Sequence, residues 1–221
     1  MDLTRLFIIF IFYSICGWII EVVNVSIIER KIVDRGFLIG PYCPIYGFGG
    51  LYIYLFLNKY YNDPVALFVL TIVECAILEY FTSLIMEKIF KTRWWDYSNK
   101  KFNINGRICL ENLVLFGIGG LFSVYLVIPY LTKLIDMVPI NILNIIAIVI
   151  FIIFIVDCIV SFRIIYNFKL VANTVRKDNT NEITARVREE LKKKSIFSKR
   201  LVKAFPNFET ILKKIKSDKN D

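Results

Sequence analysis

The chain has 221 residues, 57% of them hydrophobic, and a mean hydropathy of +0.58, whereas soluble domains average about 45–50% apolar residues even with glycine counted. Its formal charge of +9 is uneven, because residues 1–167 hold 13 Lys or Arg and 12 Asp or Glu, and residues 168–221 hold 15 and 7. The sequence has no histidine, which excludes HExxH metalloproteases and Ser-His hydrolases. The five cysteines have no paired spacing, so neither a disulfide framework nor a metal site is predicted, and no cofactor is expected.

Five apolar stretches predict helices that cross a bilayer, which takes about 20 mainly apolar residues. The first contains Trp18 and Glu21, is too long for a signal peptide and has no small-residue cleavage site. The second is short and broken by proline and glycine. We therefore expect an all-α polytopic membrane protein whose transmembrane domain comprises residues 1–167. Its five predicted helices comprise residues 6–28, 41–57, 64–90, 109–130 and 139–165.

Lysine and arginine are concentrated in alternate connections between these helices. The loops after the first and third predicted helices are rich in basic residues, whereas the other two hold only Lys59 and Lys133. Positively charged loops stay in the cytoplasm. The pattern predicts a multi-pass protein of the bacterial cytoplasmic membrane, with its N-terminus outside and its C-terminus in the cytoplasm.

Residues 168–221 form a basic tail that is predicted to be amphipathic in pieces. Ile196, Phe197, Leu201 and Phe205 recur at helical spacing among Lys and Arg. This pattern suits a helix that lies on the membrane surface and contacts anionic lipid headgroups. A solvated coil, or a helix that self-associates in a homo-oligomer, is the alternative. No nucleic-acid-binding motif accompanies the charge, so nucleic acid is not an expected partner.

Two glycine clusters indicate an internal duplication. Residues 47–51 read GFGGL and residues 117–121 read GIGGL, 70 positions later, and Gly36 and Gly106 in the preceding loops have the same offset. The apolar segment before each loop carries a glutamate. These features predict a parallel repeat of two helical hairpins, as internal repeats often build membrane proteins around a polar site. The alternative is that glycine is simply frequent in membrane helices.

Carboxylates within the apolar segments are candidates for a site. A charge at the bilayer centre costs about 2.5–3.5 kcal/mol on insertion scales, so such residues tend to face a cavity or a partner. Glu21, Glu79 and Glu111 lie toward the predicted cytoplasmic side, where Arg35 and Arg107 also lie. These residues predict either a polar cavity that faces a solute or ion, or a set of salt bridges that join the helices.

The loop that precedes the first glycine cluster is dense in turn residues, including Gly40 and Pro41. Non-helical backbone at membrane depth survives only when it is buried in protein or lines a wet cavity. Its free N–H groups would suit an anionic group, although a plain helix entry with tight glycine packing is the alternative. In the other loop, the interfacial preference of Trp and Tyr does not account for Asp96. The residues expected to line the site are Glu21, Arg35, Gly40, Pro41, Tyr46, Glu79, Asp96, Arg107 and Glu111.

A set of motifs between Phe7 and Arg163 carries a family resemblance. The motifs are Gly17-Trp18 with Glu21, Arg35-Gly36-Phe37-Leu38 with Gly40-Pro41, Cys43-Pro44-Ile45-Tyr46-Gly47, Trp95-Asp96-Tyr97-Ser98 and Asn105-Gly106-Arg107-Ile108-Cys109-Leu110. Together they resemble a family of small bacterial membrane proteins catalogued as Putative ABC-transporter type IV, or ABC transporter permeases. The resemblance implies a permease-like component, and it brings no catalytic or binding residues with it.

The expected function is therefore that of a permease-like component of a transporter, with a cytoplasm-facing polar site. The sequence has no GxxxxGK[ST] motif, so ATP hydrolysis would come from a separate ATPase subunit. A membrane enzyme that uses the carboxylates on a lipid or headgroup substrate is one alternative. A non-catalytic scaffold that acts through the tail is another.

Overall fold

The structure, a computed structural model, describes residues 2–30, 36, 38–90 and 93–177, and this part of the chain is mostly helical. Its strands are limited to one two-stranded hairpin, so the expected all-α class holds apart from that hairpin. The α-helices are α1 (Leu3–Glu29), α2 (Pro44–Tyr52), α3 (Pro64–Phe90), α4 (Leu110–Phe122), α5 (Ile128–Asp136) and α6 (Ile140–Lys177).

Four helical segments in the described part are long and apolar enough to cross a membrane, rather than the five predicted. The segment at residues 44–60 is not among them, because it consists of nine α-helical residues, five π-helical residues and three 3-10 residues. It is therefore shorter than the roughly 20 residues typical of a transmembrane helix, although the usual range begins at about 17. The four candidate spans are Leu3–Ile27, Pro64–Ile89, Leu110–Asp136 and Ile140–Arg163.

Two of the helical runs contain a π-helical turn. One turn, Ile53–Leu57, follows α2, and the other, Ser123–Val127, joins α4 to α5. The fourth predicted helix ended at residue 130, but the helical run continues to Asp136. The continuation is compatible with Pro129 because this residue lies in the first turn of α5, where proline is tolerated.

The last helix is longer than predicted. It begins at Ile140, close to the expected start at residue 139, and continues to Lys177, beyond the expected end at residue 165. Its C-terminal part therefore uses residues that were assigned to the basic tail. Residues 178–221, which include the predicted amphipathic segments, lie outside the described residues.

Glycines bring the helices of each helical hairpin, α1 with α2 and α3 with α4, into close contact. On α2, Gly47 and Gly50 are buried against α1, and a Cβ atom at Gly50 would lie 2.2 Å from the Tyr13 ring. On α4, Gly117 and Gly120 are buried against α3, and a Cβ atom at Gly120 would lie 2.5 Å from Thr71. Small residues at such positions let helix backbones approach closely in membranes.

The hydrophobic core joins the two hairpins and α5 near one end of the bundle. Its first cluster of buried residues is Ile53, Leu57, Leu67, Val124 and Ile128, and its second is Ile9, Leu131, Ile135 and Leu143. The opposite end of the bundle, formed by residues 38–43 and 93–109, contains the irregular segments, and we call it the loop end. Polar groups are concentrated at the loop end.

A two-stranded β-hairpin at the loop end precedes α4. Strands β1 (Asn103–Ile104) and β2 (Ile108–Cys109) are antiparallel. The Arg107 N–H donates to the Ile104 carbonyl at 3.0 Å, and the two residues between them, Asn105 and Gly106, have φ values of 53° and 66°. An Asn-Gly pair with positive φ at both residues is typical of a type I′ turn, a signal that the sequence interpretation did not use.

Candidate functional site

Glu21 and Tyr46 meet where α1 packs against the start of α2. The Tyr46 hydroxyl donates a hydrogen bond of 2.7 Å to Glu21 Oε1. The start of α2 is fixed by the Cys43 N–H, which donates to the Ser14 carbonyl at 2.8 Å, and by Pro44 in the first turn. The Tyr46 ring lies over Gly17, where a Cβ atom would be 2.2 Å away. Gly17 therefore leaves the space that lets Tyr46 reach Glu21.

Glu79 of α3 is buried and contacts Tyr97 from the loop end. The Tyr97 hydroxyl donates to Glu79 Oε1 at 3.1 Å. Glu79 is only 6% exposed, and its Oε2 atom has no hydrogen-bond partner in the part of the chain that the structure describes. Burial, followed by the nearby Glu79 carboxylate, raises the pKa of Tyr97. The phenol is therefore a neutral hydrogen-bond donor at physiological pH.

The Asn105-Gly106 turn of the β-hairpin positions Tyr97. The Tyr97 N–H donates to the Gly106 carbonyl at 2.8 Å, and the Trp95 indole donates to the Arg107 carbonyl at 2.9 Å. Tyr97 was absent from the predicted site, although it follows Asp96 directly in sequence. The missed signal was the Asn-Gly turn, which folds this loop back toward α3.

The two glutamate–tyrosine pairs lie near each other. Glu21 is within electrostatic range of Glu79 and of Tyr97. No ion pair joins Glu21 or Glu79 to a Lys or Arg among residues 2–30, 36, 38–90 and 93–163. We call these four residues the Glu21–Glu79 site. It is acidic and has no basic partner in the described structure.

Arg107 lies closer to the loop end and pairs with a different carboxylate. It donates to Ser83 Oγ at 3.0 Å and to Glu87 Oε2 at 2.5 Å, and its guanidinium lies 5.8 Å from the centroid of the Tyr80 ring. Glu87 is two helical turns beyond Glu79, about 12 Å along α3 at 1.5 Å per residue. Arg107 therefore neutralises the end of α3 rather than the buried carboxylate.

Asp96 and Glu111 are exposed and lie outside the Glu21–Glu79 site. Asp96 accepts hydrogen bonds from the Ser98 N–H at 2.9 Å and from the Ser98 hydroxyl at 2.5 Å. These bonds, together with Arg93, lower the pKa of Asp96. Glu111 pairs with Lys100 at 2.8 Å. Both carboxylates therefore stabilise the loop that precedes α4, and neither contacts the buried pair.

Gly40 and its neighbour Ile39 place their N–H groups on a carboxylate of α6. The Ile39 N–H donates to Asp157 Oδ1 at 2.9 Å, and the Gly40 N–H donates to Asp157 Oδ2 at 2.6 Å. Ser161 also donates to Asp157 Oδ1, at 2.8 Å. The backbone groups that predicted an anion site are thus occupied by the chain's own carboxylate. Asp157, a single acid in an apolar helix, was a signal that the predicted site left out.

The remaining predicted residues have less defined roles. Pro41 follows the Asp157 contact and is exposed, and Arg35 lies outside the described residues.

Glu74 of α3 is a further buried acid, 8% exposed, whose Oε2 atom accepts from the Cys75 thiol at 3.3 Å. It lies about 140° around α3 from Glu79 at 3.6 residues per turn. Within the described residues, no group of three or more His, Cys, Asp or Glu side chains could hold a metal ion.

The family model described as Putative ABC-transporter type IV matches residues 8–162, a range that contains both hairpins, the Glu21–Glu79 site and Asp157. No curated protein and no solved structure matches the chain significantly.

Proposed function

Since the chain belongs to the Putative ABC-transporter type IV family, we propose that it is a permease-like membrane subunit of a transporter, and that the Glu21–Glu79 site serves its substrate or a coupled ion. The observation that carries the proposal is the buried Glu79 carboxylate, which has an unpartnered oxygen and no basic residue beside it within the described structure. Ionisable residues inside a membrane domain are costly and mark substrate or ion pathways by default.

The proposal includes five membrane crossings, with the N-terminus outside and the loop end in the cytoplasm of a bacterial cell. Residues 44–60 support the fifth crossing, because they run antiparallel to α1: Gly50 contacts Tyr13, and Tyr46 contacts Gly17. The connections after α1 and α3 hold most of the basic residues of the membrane domain, as cytoplasmic loops do. The site would then open toward the cytoplasm.

A duplicated hairpin is also part of the proposal. The π-helical turns at residues 53–57 and 123–127 are 70 positions apart, the same offset as the glycine clusters. On the preceding helices the offset is 58: Phe10 contacts Gly47 as Phe68 contacts Gly117. Glu21 and Glu79 are also 58 positions apart. The two hairpins would then each supply one carboxylate to a site between them, as internal repeats do in transporters.

An ATPase subunit is the partner that this function requires. The sequence lacks a P-loop, so the free energy of ATP hydrolysis would have to come from another chain. The loop end would be the side available to a cytoplasmic subunit. The basic tail would contact anionic lipids nearby, because cytoplasmic leaflets attract juxtamembrane Lys and Arg.

Purification from native membranes tests the proposal. The full chain, tagged and extracted in mild detergent, should co-purify with a stoichiometric ATPase identified by mass spectrometry. In lipid nanodiscs, Glu79→Gln should lower the ATP hydrolysis of this complex at least severalfold, whereas Glu111→Gln, which changes an exposed carboxylate, should leave it unchanged. A chain that arrives without an ATPase, or only with a bound lipid, would contradict the proposal and favour the lipid-enzyme or scaffold alternatives.

A further inference from the structure

We infer that the Glu21–Glu79 site binds a monovalent cation, a proton or an alkali-metal ion, which the two carboxylates share. The inference rests on the proposed function, since it names the ligand of the same site. A permease-like subunit whose polar site holds a cation would couple that cation to transport or to conformational change.

Charge is the first reason. Glu21 and Glu79 interact electrostatically, and in the described structure their hydrogen-bond partners are the neutral hydroxyls of Tyr46 and Tyr97. Glu79 is buried, so an ionised Glu21 nearby repels an ionised Glu79 unless a cation lies between them or one of them is protonated. The site therefore favours a positively charged ligand and disfavours phosphate or carboxylate substrates.

The unpartnered oxygen is the second reason. Glu79 is more than nine-tenths buried, and its Oε2 atom has no hydrogen-bond partner within the described residues. A buried acceptor without a partner costs free energy, and the cost is larger when the group is charged. A bound cation would supply the missing interaction at this atom.

The available ligands favour a monovalent cation over a divalent one. Calcium takes six to eight oxygen ligands, and magnesium requires near-octahedral geometry, but the described structure brings no third acidic, histidine or cysteine ligand into a metal-binding group with this pair. Among the described residues, the thiols of Cys43, near Glu21, and Cys75, near Glu79, also lie close to the pair, and the thiol of Cys109 lies close to Tyr97. Burial and the Glu21 charge raise the pKa of Cys43 to about 12, so this thiol adds no charge.

Infrared difference spectroscopy on the full chain in nanodiscs tests the inference without any ATPase. The band of a protonated carboxyl group should rise as pH falls and should be lost in Glu79→Gln. In Glu21→Gln its midpoint should move to lower pH, because the neighbouring negative charge is then gone. The control Glu111→Gln should retain the band. If the ligand is an alkali-metal ion, sodium or potassium chloride should remove the band at constant pH, whereas choline chloride should not. If the ligand is a proton, only pH should change it.

The inference would be overturned if neither pH nor alkali-metal ions changed a band that depends on Glu21 or Glu79. It would also be overturned if Glu111→Gln abolished the response equally. Should the glutamine variants fail to fold, as judged by gel filtration, Tyr97→Phe provides a second test, because it keeps both carboxylates and should change the midpoint of the titration. An absent ATPase partner would contradict the proposed function without altering these spectra, so the two failures are distinguishable.

Discussion

Tyr97 lies in an exposed loop, and its hydroxyl donates a hydrogen bond to the buried carboxylate of Glu79 in α3. It donates to one oxygen of Glu79, and the other oxygen has no hydrogen-bond partner in the described structure. Removing the Tyr97 hydroxyl would leave both oxygens of Glu79 without a protein donor there. The phenyl ring would still fill the same volume.

We therefore expect Tyr97→Phe to lower the stability of the protein in detergent by about 1–3 kcal/mol, the usual effect of leaving a buried acceptor unsatisfied. Thermal unfolding monitored by circular dichroism measures this change. The matched control is Tyr130→Phe, since Tyr130 is 66% exposed and should tolerate loss of its hydroxyl. Equal midpoints for the two variants would contradict the assigned hydrogen bond.

Asp157 holds the loop before α2 through two backbone N–H groups. Asp157→Ala would leave the Gly40 N–H without its acceptor and the Ile39 N–H with only Ser161 Oγ, at 3.1 Å. The unsatisfied group would cost roughly 1–3 kcal/mol, and we expect faster proteolysis near residues 38–43 in nanodiscs. Asp136→Ala is the control, because Asp136 pairs with Arg5 at the surface and exposed pairs contribute about 0–1 kcal/mol. A cleavage rate unchanged by Asp157→Ala would show that the loop is held by other contacts.

The sequence interpretation selected three of the four residues in the Glu21–Glu79 site. Glu21, Glu79 and Tyr46 could be selected because acids within apolar helices, and an aromatic residue beside a glycine cluster, are conspicuous in the sequence. Tyr97 and Asp157 act through contacts between segments 18 and more than 100 residues apart, and periodicity carries no information about such distances. Salt bridges of the arginines with Glu21, Glu79 or Glu111 were one of the two alternatives that the sequence left open, and Arg107 instead pairs with Glu87.

The helix hairpins depend on glycines at some positions and not at adjacent ones. On α4, a Cβ atom at Gly120 would lie 2.5 Å from Thr71, whereas a Cβ atom at Gly119 would meet nothing within 4 Å. On α2, a Cβ atom at Gly50 would lie 2.2 Å from Tyr13, whereas one at Gly49 would lie 3.6 Å from Leu78. Each glycine cluster therefore contains its own internal control.

We expect Gly120→Ala and Gly50→Ala to destabilise the protein by about 1–3 kcal/mol through overpacking. Gly119→Ala should be neutral or stabilising, by up to about 1 kcal/mol, because alanine is the better helix former. Unfolding midpoints of the variants in one detergent provide the comparison. If Gly119→Ala destabilised the protein as much as Gly120→Ala, then Gly120 would not be the residue at which α4 packs closely against α3.

Helix positions were predicted well where the hydrophobic pattern was uninterrupted. The predicted third helix, residues 64–90, agrees with α3, and the first differs from α1 by three residues at its start. The second prediction began three residues before α2, and the fourth ended six residues before the helical run does. Both of these predicted bounds lie at or beside a proline, but the helical run continues through Pro129. The π-helical turns hold one more residue than a regular turn, which is not visible in a search for a 3.6-residue period.

At the scale of the whole molecule, the crossing number can be tested by labelling single cysteines. In a variant whose five native cysteines are replaced by alanine, Asp2→Cys and Asn62→Cys should react with a membrane-impermeant maleimide in intact cells. Asn99→Cys should react only after the cells are permeabilised. Reaction of position 2 and position 62 from opposite sides would show that residues 44–60 do not cross the membrane. The reverse accessibility of all three positions would contradict the proposed orientation.

The contact between Asp157 and the loop before α2 has a consequence for the order in which the protein is made. The Ile39 and Gly40 amides find their acceptor 118 and 117 residues later in the chain. During synthesis, the first helical hairpin therefore emerges long before the carboxylate that these two N–H groups bind in the folded chain. A chain truncated before Asp157 would contain both helical hairpins. It would lack the hydrogen bonds that join the loop before α2 to α6.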